Sequence, residues 1–221
     1  MSMSILCLSL CGLLATLAPS IAMQAIFGKT ASDYGFNLER FLKAINAYYG
    51  LVLLGIAFLS PAFFEQQPGL SMAELVISVT LILVVFVLEV GFLHALQCKK
   101  ARRLLPLKLS FMGTSSSIGG LIGTLTLAAF EEVTYRWLWF GILLRIWHLP
   151  LILVILISTL CYALNHLLMG SAIFYSKLLT GLSYGIIYGM TMSIWSVLIV
   201  HVGGNLLVGG LSLYQARRRL Q

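Results

Sequence analysis

The stretch at 72–97, MAELVISVTLILVVFVLEVGFLHALQ, constrains the fold more than any other part of this chain. It carries two acids in an otherwise apolar run and exceeds the ~20 residues that a helix needs to cross a hydrocarbon layer. Further runs of this kind follow one another along the sequence. Composition agrees: the 221 residues are 60% hydrophobic and 10% charged, with a mean hydropathy of +0.99. A soluble domain of this size carries about 25% charged residues. The expected class is therefore all-α: a polytopic transmembrane helix bundle of seven or eight spans, forming a single integral membrane domain over 1–221. The expected location is integral in a membrane.

Spans are expected at about 3–27, 44–64, 72–97, 150–168, 172–193 and 195–214. The segment NLERFLKAI could form a short interfacial helix before the second span. Residues 111–147 read either as two short helices or as one long tilted helix with a break near Gly119–Gly123. The N-terminus lacks a positive n-region, so it reads as a retained helix and not as a cleaved signal peptide. The net charge of +7 raises nucleic acid as a partner. The basic residues, however, cluster in CKKARR at 98–103 and ARRR at 216–219, between or after apolar runs. That is the pattern of cytoplasmic ends under the positive-inside rule, and no basic face of a soluble helix exists to hold a nucleic acid. The loop EQQPGLS has no Lys or Arg and reads as non-cytoplasmic, which puts the N-terminus outside and residues 98–108 inside. An arginine-rich tail on the inside then needs an odd number of crossings, which one long helix over 118–147 supplies. Membrane lipid is the expected partner.

Cys7, Cys11, Cys98 and Cys161 form no C-x-x-C pair and read as small buried hydrophobes. Gly181, Gly185 and Gly189 recur every fourth residue, as do Gly119 and Gly123. Small residues at this spacing let helix backbones approach closely in lipid.

Against this apolar background stands AAFEEVTYRWLWF. A charge at the bilayer centre costs ~2.5–3.5 kcal/mol on insertion scales, so such residues persist where they are paired or where they work. In a helix Glu132 and Arg136 share a face, acid before base, the better order for an ion pair. Glu131 points about 100° away and is left without that partner, free to face a cavity as a general base. A packing network of all three is the plain alternative. Two further clusters weigh against it: Asn165 and His166 in CYALNHLLMG, and His201 with Asn205, one helical turn apart, in IVHVGGNLLVGG. Three segments each supplying polar groups are poorly explained by independent packing. Glu89 and His94 lie near the cytoplasmic end of their helix and snorkel or pair there. His148 precedes a proline at a helix boundary, and Tyr184 and Tyr188 share a face as packing aromatics. The serines at 115–117 lie in no recognisable nucleophile motif.

In order and spacing these motifs resemble the CAAX-protease and bacteriocin-processing (CPBP, Abi) family of intramembrane endopeptidases. The family pattern is E-E-x-x-x-R, then F-x-x-x-H, then H-x-x-x-N or H-x-x-x-D, on successive membrane helices. Here EEVTYR supplies Glu131, Glu132 and Arg136; YALNH supplies Tyr162 and His166, with tyrosine in place of phenylalanine; HVGGN supplies His201 and Asn205. The motif-bearing core spans about 111–214. The resemblance implies that Glu131 and His166 activate a water, that His201 and Asn205 form an oxyanion hole, and that Glu132, Arg136 and Tyr162 support them, with no cofactor. The added Tyr162 hydroxyl needs a partner. Zinc is the alternative cofactor, since Glu131, His166 and His201 are a ligand set of the catalytic zinc type. Other readings are a non-catalytic scaffold, a bacteriocin self-immunity protein, and a proton relay or transporter, whose polar groups would spread along the membrane normal.

Overall fold

The structure, a computed structural model, describes residues 2–28, 36–64, 66–106 and 117–218. Ser115, Ser116, Arg219 and the stretch 111–116 lie outside the described residues. All regular elements among those described are helical: α1 (Met3–Ala15), α2 (Pro19–Phe27), α3 (Leu38–Leu59), α4 (Met72–Ala101), α5 (Ile118–Glu132), α6 (Leu151–Leu164), α7 (Ser171–Thr191) and α8 (Ile194–Arg218). Short 3-10 turns occupy Pro61–Phe63 and Leu167–Met169.

Several boundaries differ from expectation, each for a local reason. The first segment is not one helix: α1 and α2 bend by 44°, because Pro19 has no N–H to donate and crowds the preceding turn. The supposed interfacial helix is the start of α3, where Asn37 Oδ1 accepts the Arg40 N–H at 2.9 Å. That helix stops at Leu59, ahead of Pro61. A capping box between Ser71 and Glu74 starts α4, and Lys99 and Lys100 occupy its last turn, where cations favour the helix dipole. Ser117 caps α5 through the Gly120 N–H.

Two short helices over 111–147 do not form in the described part. Instead α5 continues without interruption through π-helical Val133–Leu138 and Gly141–Ile146, as one rod from Ile118 to Ile146. By length and apolarity α3, α4 and Ile194–Leu211 of α8 can each cross a bilayer, and the bent α1–α2 pair makes a fourth if taken as one span. At 14 residues, α6 is about 21 Å long at 1.5 Å per residue, short of a full crossing.

The core runs through the whole bundle, from Leu13 and Ile45 to Tyr135, Ile142, Tyr162, Tyr188 and Val197. Outside it, large apolar side chains such as Leu54, Phe58, Val87, Ile152 and Met190 lie exposed. A water-facing surface rarely carries so much contiguous apolar area, so this belt faces lipid. The glycine ladder of α7 meets α6 closely: a Cβ on Gly181 would stand 2.8 Å from Tyr162 Cδ1, and one on Gly185 3.0 Å from Ile155. Gly123 packs on Leu42, whereas Gly119 faces open space. Of the cysteines, only Cys161 is buried; Cys7 and Cys11 are exposed, and all four are free thiols.

Cross-helix contacts fix which ends lie together. Gly123 O accepts from Asn46 Nδ2 at 2.9 Å, and Gly209 packs on Leu121. The starts of α3 and α5 and the end of α8 therefore share one end of the bundle. At the other end, Trp147 Nε1 donates to Ser9 Oγ at 3.1 Å, Arg145 donates to Phe63 O, and the Ile194 N–H donates to Gln67 Oε1.

Candidate active site

Glu131 and Glu132 end the regular part of α5, and both are buried. The π-helical stretch that follows holds Arg136, also buried. Arg136 Nε lies 3.3 Å from Glu132 Oε2, and its Nη2 donates to Gly181 O on α7 at 2.9 Å. Its guanidinium sits over the rings of Tyr162 and Tyr184, 4.8 and 5.6 Å from their centroids. The expected ion pair exists, and it is also a bolt from α5 to α7.

Glu132 has a second partner that helical spacing did not reveal. His201 Nδ1 on α8 lies 2.6 Å from Glu132 Oε1. Since a carboxylate accepts, Nδ1 carries the proton and Nε2 faces away from Glu132. Tyr184 stacks on the same imidazole, 4.5 Å between centroids and 25° between planes. That tyrosine looked like a packing residue in sequence; nothing in its spacing marked it as the platform for His201.

His166 comes from the turn where α6 unwinds. Its Nδ1 lies 3.3 Å from Tyr162 O, an atom that can only accept, so Nδ1–H is the donor and Nε2 is bare. Nε2 lies 3.9 Å from Glu131 Oε1. Two acceptors at this separation do not bond each other, but one water can donate to both. The Tyr162 ring packs against both His166 and His201, while its buried hydroxyl has no hydrogen-bond partner among the described residues.

Glu131, His166, His201 and Asn205 all line one cavity of about 470 Å³. It runs between α4, α5, α7 and α8, past Glu89, Lys177 and Lys100, with Leu38 and Gly209 among its lining. It therefore reaches the end of the bundle where α3 begins and α8 closes. Glu89 pairs within it, accepting from Lys177 Nζ at 2.8 Å and from Ser176 Oγ. His94 contacts Cys98 instead. Asn165, adjacent to His166, points the other way, into α2 and Tyr135.

Among the described residues no three His, Cys, Asp or Glu side chains are grouped to hold a metal; His201 engages Glu132 through Nδ1, which leaves Nε2 free.

Comparison with known proteins gives one family. The family model described as type II CAAX prenyl endopeptidase Rce1-like matches residues 113–207, a segment that contains all three motifs. No curated protein and no solved structure matches the chain. Residues 113–207, with Glu131, His166 and His201 gathered on one cavity, are similar to the Rce1-like family of type II CAAX prenyl endopeptidases.

Proposed function

We propose that this protein is an intramembrane endopeptidase that hydrolyses a peptide bond with a glutamate-activated water. The observation that carries this reading is the 3.9 Å gap between Glu131 Oε1 and His166 Nε2, opening on a cavity that His201 and Asn205 also line. A water between the two acceptors donates a proton to each and turns its lone pairs toward the cavity. Glu131 takes the proton as the water attacks the peptide carbonyl, forming the C–O bond. His166 orients the water and assists the return of that proton from Glu131 to the leaving amine as the C–N bond breaks, while the second water proton leaves with the new carboxyl group. General-base assistance of this kind contributes about 10²–10⁴-fold.

The developing oxyanion needs donors. Asn205 offers its amide. His201 can donate from Nε2 only when both ring nitrogens are protonated, because Nδ1–H already serves Glu132. In that form two carboxylates, Glu131 and Glu132, balance the charges of Arg136 and His201. Each such donor contributes about 10²–10³ in rate.

The similarity to CAAX prenyl endopeptidases supports CAAX-type peptide tails as substrates; leader peptides and other membrane proteins are the other candidates. Seven crossings fit the chain best: the bent α1–α2 pair, α3, α4, the rod 118–146, α6 with its following turn, α7 and α8. We place the enzyme in a bacterial plasma membrane, with lipid and a peptide or membrane-protein substrate as its partners and without nucleic acid.

Glu131→Gln tests the reading. It keeps the side chain's volume and removes the base, so cleavage should fall by at least about 10²-fold while the protein elutes and unfolds like the wild type. Retained cleavage in that folded variant removes the assignment. A scaffold or immunity role predicts instead that the Gln variant keeps its phenotype. Chelators should leave activity of the purified protein unchanged; loss on chelation with recovery on zinc would favour the metal mechanism.

A further inference from the structure

We infer that Asn165 is a positioning residue for His166, and that the N-terminal pair α1–α2 forms the clamp through which it acts. The inference rests on the proposed role of His166 as partner of the attacking water. α6 stops at Leu164 and His166 falls in an irregular turn that runs to Gly170, whose φ is 106°. Such a turn away from water leaves carbonyls without helical donors, and a loose one would let the imidazole wander. Asn165 closes it. Its Nδ2 donates to Cys161 O at 3.3 Å and to the hydroxyl of Tyr135. Its Oδ1 accepts the Ser20 N–H at 3.0 Å, and its backbone O accepts from Gln24 Nε2 at 3.2 Å.

The other side of the clamp is the break between α1 and α2. Thr16 O and Leu17 O lack their α-helical donors, because the Ser20 N–H goes to Asn165 Oδ1 and the Ile21 N–H to Ala18 O, and the Tyr135 hydroxyl donates to them at 3.0 and 3.2 Å. Trp139 Nε1 donates to Thr16 Oγ1 at 3.0 Å. The bend of the first segment and the unwinding of α6 therefore satisfy each other. Every polar atom of the Asn165 side chain is used, and none of it faces the cavity. Ser20 and Gln24 lie outside 113–207, so the turn carrying His166 is completed from a part of the chain that the family match does not cover.

The test compares wild type with Asn165→Ala, Gln24→Met and Tyr135→Phe in detergent. The last two each remove one donor and nearly preserve volume, so they carry the test if Asn165→Ala does not fold. The probes are internally quenched peptides, half of them S-farnesylated. Misplacing a catalytic group by about 1 Å can cost 10²-fold. We expect kcat lower by roughly tenfold to 10²-fold with KM within about twofold. A second readout needs no substrate: ¹⁵N spectra of the histidine side chains, with His166 assigned from His166→Gln. Wild type should show a single Nδ1–H tautomer for His166, and the variants a mixture. Folded variants that keep both kcat and the single tautomer overturn the inference. Should wild type cleave none of the peptides, the protease reading fails on these probes, and the tautomer spectra alone decide the role of Asn165.

Discussion

Glu132 holds two partners at once: Arg136 at 3.3 Å and His201 Nδ1 at 2.6 Å, all three groups buried. Removing one member of a buried charge cluster costs more than removing two opposite members together, because a lone desolvated charge remains. Arg136→Met should therefore destabilise the protein by about 3–5 kcal/mol, read as a lower unfolding midpoint in detergent. Adding Glu132→Gln should recover part of that loss. A single variant as stable as wild type, or a double variant no better than the single, would refute the paired arrangement. The Glu132–Arg136 half of this cluster was visible as spacing on one helix. The His201 half was not, since no periodicity within a chain reports which side chains meet from α5 and α8. The same limit hid Tyr184 beneath His201 and the role of Asn165, which in sequence was only a polar neighbour of His166.

At the scale of elements, the contact between α6 and α7 depends on missing side chains. A methyl at Gly181 would meet the Tyr162 ring at 2.8 Å. Overpacking of this kind costs typically 1–3 kcal/mol, about the range expected for Gly181→Ala. Because Tyr162 O also holds His166, Gly181→Ala should lower cleavage as well as the unfolding midpoint. Gly119→Ala meets nothing within 4 Å and should be neutral or stabilising by up to roughly 1 kcal/mol. Equal damage from both changes would show that close approach is not what the α7 ladder provides. The four-residue glycine period was legible in both places, but a period does not say which face meets a neighbour. Pro19 was likewise in plain view as the cause of the α1–α2 bend. The π-helical stretches after Glu132 had no such marker: nothing in VTYRWL distinguishes them from ordinary helix, although π turns often accompany functional sites.

At the scale of the whole molecule, charge and geometry agree on a direction across the membrane. The end that gathers the starts of α3 and α5 and the close of α8 carries Arg40, Lys43, Lys99, Lys100, Arg102 and Arg103, while the loop joining α3 to α4 has no Lys or Arg in 60–71. The positive-inside rule predicts that the first end is cytoplasmic. The cavity reaches that end past Lys100, so the proposed protease predicts entry of substrate from the cytoplasm. Cysteine labelling in intact cells checks this. In a background with the four native cysteines replaced, Gln66→Cys, exposed in the outer loop, should react with a membrane-impermeant maleimide. Arg103→Cys, exposed beyond α4, should react only after permeabilisation. The tail offers an independent check of crossing number: with seven spans, a cysteine appended after Gln221 behaves like Arg103→Cys. If the appended cysteine labels from outside while Arg103→Cys does not, α5 through α8 make an odd number of crossings between them. The entry side of the cavity would then have to be assigned afresh.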